Sequence, residues 1–170
     1  MNRSLRLLIS ALVCFTLIAR AADDPALAQA FDHIKTLAGN WHGKDQQGKP
    51  VMAWFQVTSG GVTVLQMLTV TGWPEKPTLY HLDGDRLMAT HYCSSGNQPR
   101  MVWRPAAGYS SGILKFAFLD STNLKSPEAG HMTAVVFRWQ DKDHFIQEWT
   151  WHQDGKDEVQ HFQFERDVVL

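Results

Sequence analysis

The sequence predicts an all-β domain, an antiparallel up-and-down barrel of about ten strands that follows one short N-terminal helix. From residue 40 onward, apolar and polar residues alternate with a period of two, which is typical of strands with two different faces. Groups of Gly, Asp and Ser interrupt this alternation at short intervals, as hairpin turns require. Closure into a barrel is favoured because it leaves no strand edge unpaired.

Composition limits the classes of protein that the chain can belong to. Its 170 residues include 16 Lys and Arg, 17 Asp and Glu and 2 Cys, and its formal net charge is -1. This length suits one domain, and the balanced charge gives no basic surface for nucleic acid. Two cysteines are too few for a disulfide scaffold, so stability must come from an apolar core that is rich in aromatic residues.

Residues 1–21 have the three parts of a secretory signal peptide. A short basic stretch precedes the apolar residues 7–19, and Ala19 and Ala21 provide the small residues of a cleavage site. The apolar stretch is shorter than the roughly 20 residues that a membrane-spanning helix needs. We therefore expect an exported protein, periplasmic or secreted, whose barrel domain covers residues 22–170 and has no transmembrane segment after cleavage.

Cleavage would change the composition of the chain. Removing 21 of the 170 residues leaves 149, with 13 basic against 17 acidic residues and a net charge of -4. Cys14 would leave with the signal, so Cys93 is the one cysteine of the predicted mature domain. We expect it to be either a buried small apolar residue or a free thiol, since it has no partner for a disulfide.

The secondary-structure elements follow from periodicity and turns. A helix should begin at Asp24 and Pro25, bury Leu27, Phe31, Ile34 and Leu37, and end at Gly39. The predicted strands are 40–46, 50–57, 62–71, 77–82, 86–93, 100–104, 112–119, 131–139, 144–152 and 157–166. With an even number of strands, both termini emerge at one end, where the helix can close the barrel. The opposite end has the long loops 94–99 and 120–130, which predict an open mouth.

Two short motifs resemble known barrel families. Residues 37–41 (LAGNW) resemble the Gly-x-Trp signature of lipocalins and fatty-acid-binding proteins, in which an Arg near the last strand packs on the Trp. The resemblance implies a lipocalin-like fold and a structural latch between Trp41 and Arg166. One helix followed by ten strands is also similar to the nitrobindin-like barrels, which hold haem.

A longer likeness covers most of the predicted mature chain. Residues 80–85 (YHLDGD) and 91–101 (HYCSSGNQPRM) resemble an uncharacterised family of exported bacterial lipocalin-like domains. This resemblance implies a fold and a location but no activity. Within these segments and nearby, the candidate ligand-binding residues are Tyr80, His81, His91, Cys93, Asn97, Gln98, Arg100 and Glu148.

Three interpretations of these residues stay open. In the first, His91, Asn97, Gln98 and Arg100 are polar anchors at the rim for a small, mostly apolar or amphipathic molecule. In the second, Cys93 is a nucleophile of an enzyme, activated by a histidine such as His81. In the third the segment is structural, and Arg100 pairs with an acid such as Asp120. If the strand turns Glu148 inward, that carboxyl group becomes a further buried candidate.

The sequence identifies no cofactor. The histidines form no metal-binding motif, and the motifs of serine hydrolases, zinc proteases and nucleotide-binding loops are missing from the sequence. A haem-binding barrel and a purely structural envelope protein therefore remain alternatives to the binding of a small molecule.

Overall fold

A computed structural model describes residues 24–105, 109 and 112–167, so the predicted signal peptide lies outside the described residues. One α-helix, ten strands and a short 3-10 turn at Ser59–Gly61 are found in this part of the chain. The helix and the strands are α1 (Pro25–Lys35), β1 (Gly39–Asp45), β2 (Pro50–Thr58), β3 (Thr63–Val70), β4 (Lys76–Asp83), β5 (Arg86–His91), β6 (Gln98–Trp103), β7 (Ile113–Thr122), β8 (His131–Trp139), β9 (His144–Gln153) and β10 (Lys156–Arg166).

The strands form a closed antiparallel barrel, which confirms the predicted fold class. Each strand pairs with its neighbours in sequence, and β1 pairs with β10 to close the sheet. At this seam, Trp41 lies opposite Arg166 and Gly43 lies opposite Phe164. A side chain at Gly43 would overlap the carbonyl oxygen of Gln163, so glycine is what lets the closing strands approach.

Helix α1 covers one end of the barrel, as predicted. The Asp24 carboxylate accepts a hydrogen bond of 2.8 Å from the backbone N–H of Ala26, and Pro25 occupies the first turn. Leu27 and Ile34 are buried where the helix packs near β4 and β5. The prediction that Gly39 caps the helix was wrong: Thr36 is the C-cap. Gly39 instead opens β1 with a φ of 123°, a conformation that favours glycine.

The interior at the helix end is filled by aromatic rings. Phe145 packs against Trp41, Phe164, Phe55 and Phe137 with ring centroids 4.7, 4.9, 6.0 and 6.1 Å away. All five side chains are almost completely buried. Such interlocked rings exclude water from this end of the interior.

The predicted contact between Trp41 and Arg166 is present at this end. The guanidinium carbon lies 4.1 Å from the centroid of the indole. The same guanidinium donates hydrogen bonds of 2.9 Å to the backbone carbonyls of Ala38 and Thr36, and the indole N–H donates one of 2.8 Å to Leu37. Arg166 therefore connects the last strand to the segment between α1 and β1.

The opposite end is the mouth of the barrel. The connections β1–β2, β3–β4, β5–β6, β7–β8 and β9–β10 all lie there. Two register shifts also lie toward this end, one in the β6–β7 pair beside Arg100 and one in the β8–β9 pair beside Met132. Such irregularities bend strands and redirect side chains near a rim. In the described part of the chain, no helix is long and apolar enough to cross a membrane.

Candidate ligand-binding site

The candidate residues from sequence divide between the two faces of the sheet. Tyr80, His91 and Asn97 are almost completely buried at or below the mouth. Cys93 follows β5 and is a half-buried free thiol. It lies close enough to Lys76 to raise the pKa of that ammonium group, against the larger effect of burial, which lowers it. The structure therefore brings these four side chains toward the mouth, while their role in binding stays a prediction.

The other four candidates lie on the outer face. The side chains of His81, Gln98, Arg100 and Glu148 alternate with inward residues, and all four make contacts outside the barrel. Arg100 forms a two-pronged ion pair with Asp120. The guanidinium lowers the pKa of that carboxyl group. This is the pairing that the structural interpretation expected, so Arg100 is engaged on the outside and not directed into the mouth.

Glu148 and His81 likewise have local partners. The Glu148 carboxylate accepts hydrogen bonds of 3.0 and 3.2 Å from Arg138, which shows that its strand turns it outward and not into the core. The Nδ1 atom of His81 lies 3.1 Å from the carbonyl oxygen of Leu82. Because His81 is on the outer face, it is not placed to activate Cys93.

A closed polar network forms the floor beneath the mouth. The side-chain amides of Gln66 and Gln147 bond to each other through hydrogen bonds of 2.8 and 3.0 Å, although the residues are far apart in sequence. The Tyr80 hydroxyl donates a third bond of 2.7 Å to Gln66. All three side chains are fully buried, and burial raises the pKa of Tyr80 well above its usual value. The floor is thus satisfied within the protein.

His91 lies one inward-facing residue pair closer to the mouth than Tyr80, and only one of its two ring nitrogens has a hydrogen-bond partner in the part of the chain that the structure describes. Its Nδ1 is 2.9 Å from the hydroxyl oxygen of Thr78, the residue directly opposite on β4. Its Nε2 is buried and has no hydrogen-bond partner among the described residues. Burial, assisted by the positive charge of Lys76, lowers the pKa of His91 to about 3. The imidazole is therefore neutral near pH 7.

Two further buried polar atoms in this part of the interior also lack partners within the described chain. They are the indole N–H of Trp149, whose ring centroid lies 4.7 Å from that of His91, and the side-chain oxygen of Asn97. The Asn97 amide donates its own hydrogen bond of 2.8 Å to the carbonyl of Gly130. Buried groups of this kind are costly unless a water molecule or a ligand satisfies them.

Lys76 is a positive charge set into the mouth. The residue is only 7% exposed, and burial lowers the pKa of its ammonium group. Its Nζ lies 5.0 Å from the centroid of the Trp73 ring, and no carboxylate in the described part of the chain forms an ion pair with it. Hydrogen bonds from an ammonium group to an anion are roughly twice as strong as those between neutral groups.

Lys76 forms part of an open cleft of about 280 Å³. Val70, Trp73 and Phe162 give this cleft apolar walls, while Asp45 and Glu158 add carboxylates. His91 and Trp149 do not line this cleft.

Sequence reasoning missed Lys76, Gln66, Gln147 and Trp149 as residues of this region. Alternation contained a usable signal, because Lys76 has the same parity as Thr78 and Tyr80, and Gln66 lies between the buried residues Val64 and Leu68. The predicted strand began one residue too late to include Lys76. The residue that faces Gln66 across the interior is set by how the sheet closes into a barrel. The alternation of apolar and polar residues along one strand does not contain that information.

Comparisons with known proteins show the fold alone. No family model and no curated protein matches the chain. A solved structure of Rv2717c from M. tuberculosis has a TM-score of 0.57 and 15% sequence identity, and the match covers 85% of this chain and 99% of that one. A protein of unknown function from the DUF3598 family of Nostoc punctiforme has a TM-score of 0.53 and 12% identity over 79% of this chain. The match spans 49% of the DUF3598 protein, about half its length.

Proposed function

We propose that this barrel is an exported protein that binds a small amphipathic molecule at its mouth, with Lys76 as the anchor for an anionic head group. The observation that supports the proposal most directly is a lysine that is only 7% exposed, has no ion-pair partner in the described chain and lines an open cleft. A charge-assisted hydrogen bond from this group would fix a carboxylate. The exported location is proposed from residues 1–21 alone.

The surroundings of Lys76 indicate what the rest of the ligand resembles. Val70, Trp73 and Phe162 offer apolar contact beside the ammonium. The interior further down is filled by side chains such as Phe116 and Phe137, which are fully buried. The proposed ligand therefore lies in the cleft, with its apolar part against Trp73, and does not extend between the aromatic residues of the core.

Haem does not fit the residues as they are arranged. A neutral imidazole with a free Nε2, as in His91, is a suitable axial ligand for iron. However, this Nε2 is buried among protein atoms, the Trp149 ring packs 4.7 Å from the imidazole, and the cleft does not extend to either residue. A porphyrin would have to displace core side chains, so we propose no haem chemistry for this protein.

The experiment compares two probes that differ in charge, decanoate and decanol, by titration against the tryptophan fluorescence of the mature protein. The test variant is Lys76→Met, which removes the charge and keeps an apolar stem. The control variant is Lys49→Met, because Lys49 lines the same cleft but is exposed. We expect Lys76→Met to weaken decanoate binding by about 10- to 100-fold, the value of a hydrogen bond to a charged group, and to leave decanol binding unchanged.

Equal affinity of Lys76→Met and the unmodified protein for decanoate would overturn the assignment of the anchor, as would an equal loss in Lys49→Met. Native mass spectrometry of protein purified from its own cell tests the remaining parts of the proposal. A bound molecule with an acidic group supports the proposed ligand class. A protein mass that corresponds to a chain starting at Ala22 supports export. A mass that retains residues 1–21 would contradict export.

A further inference from the structure

Three neighbouring strands of the barrel present an outer face that contains no Asp, Glu, Lys or Arg. On β2, β3 and β4, inward and outward residues alternate, and the outward ones occupy every second position within 52–56, 63–69 and 77–81. These ten outward residues are called the β2–β4 face below. About three in ten surface residues of a soluble protein are charged, so a face of this size without such residues is unusual.

The apolar members of this face are contiguous, because the register of the strands places them side by side. Trp54 lies opposite Met67 on β3, and Met67 lies opposite Pro77 on β4. Two residues further along β3, Leu65 lies opposite Leu79. Trp54 is 37% exposed, so the described chain leaves this patch open to solvent. A continuous apolar patch is typical of an interaction surface, whereas apolar residues exposed singly are ordinary.

The opposite side of the barrel has the charges that the β2–β4 face lacks. Arg138 of β8 and Glu148 of β9 form an ion pair there, and Nδ1 of His161 on β10 lies 3.6 Å from the same carboxylate. Two copies that met through this side would bring like charges together or remove water from ion pairs, and both are costly. Two copies that meet through the β2–β4 face desolvate no Asp, Glu, Lys or Arg side chain of that face.

We propose that the β2–β4 face is a dimerisation surface, on which a second copy of this chain packs sheet against sheet about a two-fold axis. A two-fold axis brings the same surface of both copies together, so the surface must be compatible with itself, and a neutral apolar face meets that condition. Because the barrel is closed, no strand edge is free to pair, and copies that meet through the sheet must meet face to face. A membrane fits less well, since attachment to anionic lipids draws on basic residues and this face has no Lys or Arg.

The size of the face sets the strength of the expected dimer. Adjacent strands lie about 4.8 Å apart and successive outward residues of one strand about 6.7 Å apart, so each outward residue covers about 32 Å² of the sheet. Ten such residues cover about 320 Å², and side chains that stand out from the sheet add accessible area to this projection. A stable interface takes about 800 Å² from each partner. The expected dimer is therefore weak and reversible, with a dissociation constant of about 10–100 µM.

Sedimentation velocity of the untagged mature protein, at concentrations from about 1 to about 500 µM, tests the proposal. We expect the mean mass to rise from that of one chain toward that of two across this range. Met67→Lys places a charge at the centre of the face and should weaken association by about tenfold or more, because each dimer would bury two ammonium groups. Met52→Lys should act in the same direction, and residue 52 is 59% exposed, so the substitution disturbs folding little. Thermal unfolding of each variant verifies that it folds.

The matched control is Val159→Lys, because Val159 is 42% exposed on β10, outside the β2–β4 face, and its substitution should leave association unchanged. A mixture of Met67→Lys and Met67→Glu should associate again, since opposite charges then meet near the two-fold axis.

Four results would overturn the proposal. They are a protein that stays monomeric over the whole concentration range, unchanged association in both Met67→Lys and Met52→Lys, an equal loss in Val159→Lys, and a mixture of the two Met67 variants that does not associate. Phosphatidylcholine vesicles provide the remaining arm of the test. Binding to these vesicles by an unmodified protein that does not self-associate would assign the face to a membrane and not to a second copy.

Discussion

At the helix end of the barrel, five aromatic side chains interlock around Phe145, and the polar groups beside them donate to backbone carbonyls. At the mouth, the interior holds an ammonium group without a counterion and buried polar atoms without partners in the described chain. Both ends belong to the same closed sheet. The helix end keeps one such atom as well, the indole N–H of Trp139. The two ends therefore differ in their packed aromatic rings and in the Lys76 ammonium group, and the unpartnered buried groups are costly unless water or a ligand satisfies them.

Truncation of Phe145 should have the largest effect on stability. The side chain is fully buried among four other rings, so Phe145→Ala should lower the free energy of unfolding by about 3–5 kcal/mol through lost apolar contact and the cavity left behind. Urea unfolding measures this quantity. The comparison variant at the mouth is Trp73→Ala, whose ring is 61% exposed and whose loss should cost about 1 kcal/mol or less. Similar losses for the two variants would remove the distinction between the two ends.

Acid should destabilise the mouth through His91. The imidazole has a pKa of about 3 in the folded protein and 6.5 as the unperturbed value, so the unfolded chain takes up a proton at a higher pH than the folded one. Stability from this group is present above pH 6.5 and is lost as the pH falls toward 3. We expect the unmodified protein to lose about 2–3 kcal/mol more than His91→Gln between pH 7 and 4.5. Denaturant unfolding at both pH values gives this difference, and a gap between the two proteins that does not change with pH would contradict the buried, neutral histidine.

Removing the Arg166 guanidinium should have a smaller effect. Arg166→Met loses the contact with the Trp41 ring and the hydrogen bonds to the carbonyls of Thr36 and Ala38, which together predict a loss of about 1–2 kcal/mol. Arg104→Met is the control, because Arg104 pairs with Asp85 at the exposed surface and should change stability by less than about 0.5 kcal/mol. Thermal and urea unfolding compare them. If both arginines prove equally dispensable, Arg166 is not a structural latch.

Much of the fold was predictable because local rules determine it. Alternation located all ten strands with ends close to those observed, and the turn residues Gly60, Gly84 and Gly155 have the positive φ angles that tight turns need. Asp24 and Pro25 begin the helix as expected. The contact of Trp41 with Arg166 came from a family resemblance, and the register of β1 with β10 places the two residues opposite each other.

The candidate site was less predictable, because alternation assigns residues to two faces without always showing which face is inside. Glu148 was considered as a buried acid, yet its strand turns Trp149 inward and leaves Glu148 paired with Arg138. Arg100 was considered as a rim anchor, and the structure pairs it with Asp120 on the outside. In both cases a charged side chain took the solvent face, where an ion pair costs little desolvation.

By itself, then, the sequence determined the number of strands, their antiparallel order and the end at which the helix lies, since these depend on periodicity, turns and parity over short stretches of chain. Only the tertiary structure decided which distant side chains meet. The hydrogen bond between Gln66 and Gln147 and the place of Lys76 in the cleft depend on the closure of the barrel. The pairing of His131 with His152 depends on the register of β8 with β9. Closure and register arise from the packing of the whole sheet, and no local stretch of sequence contains that information.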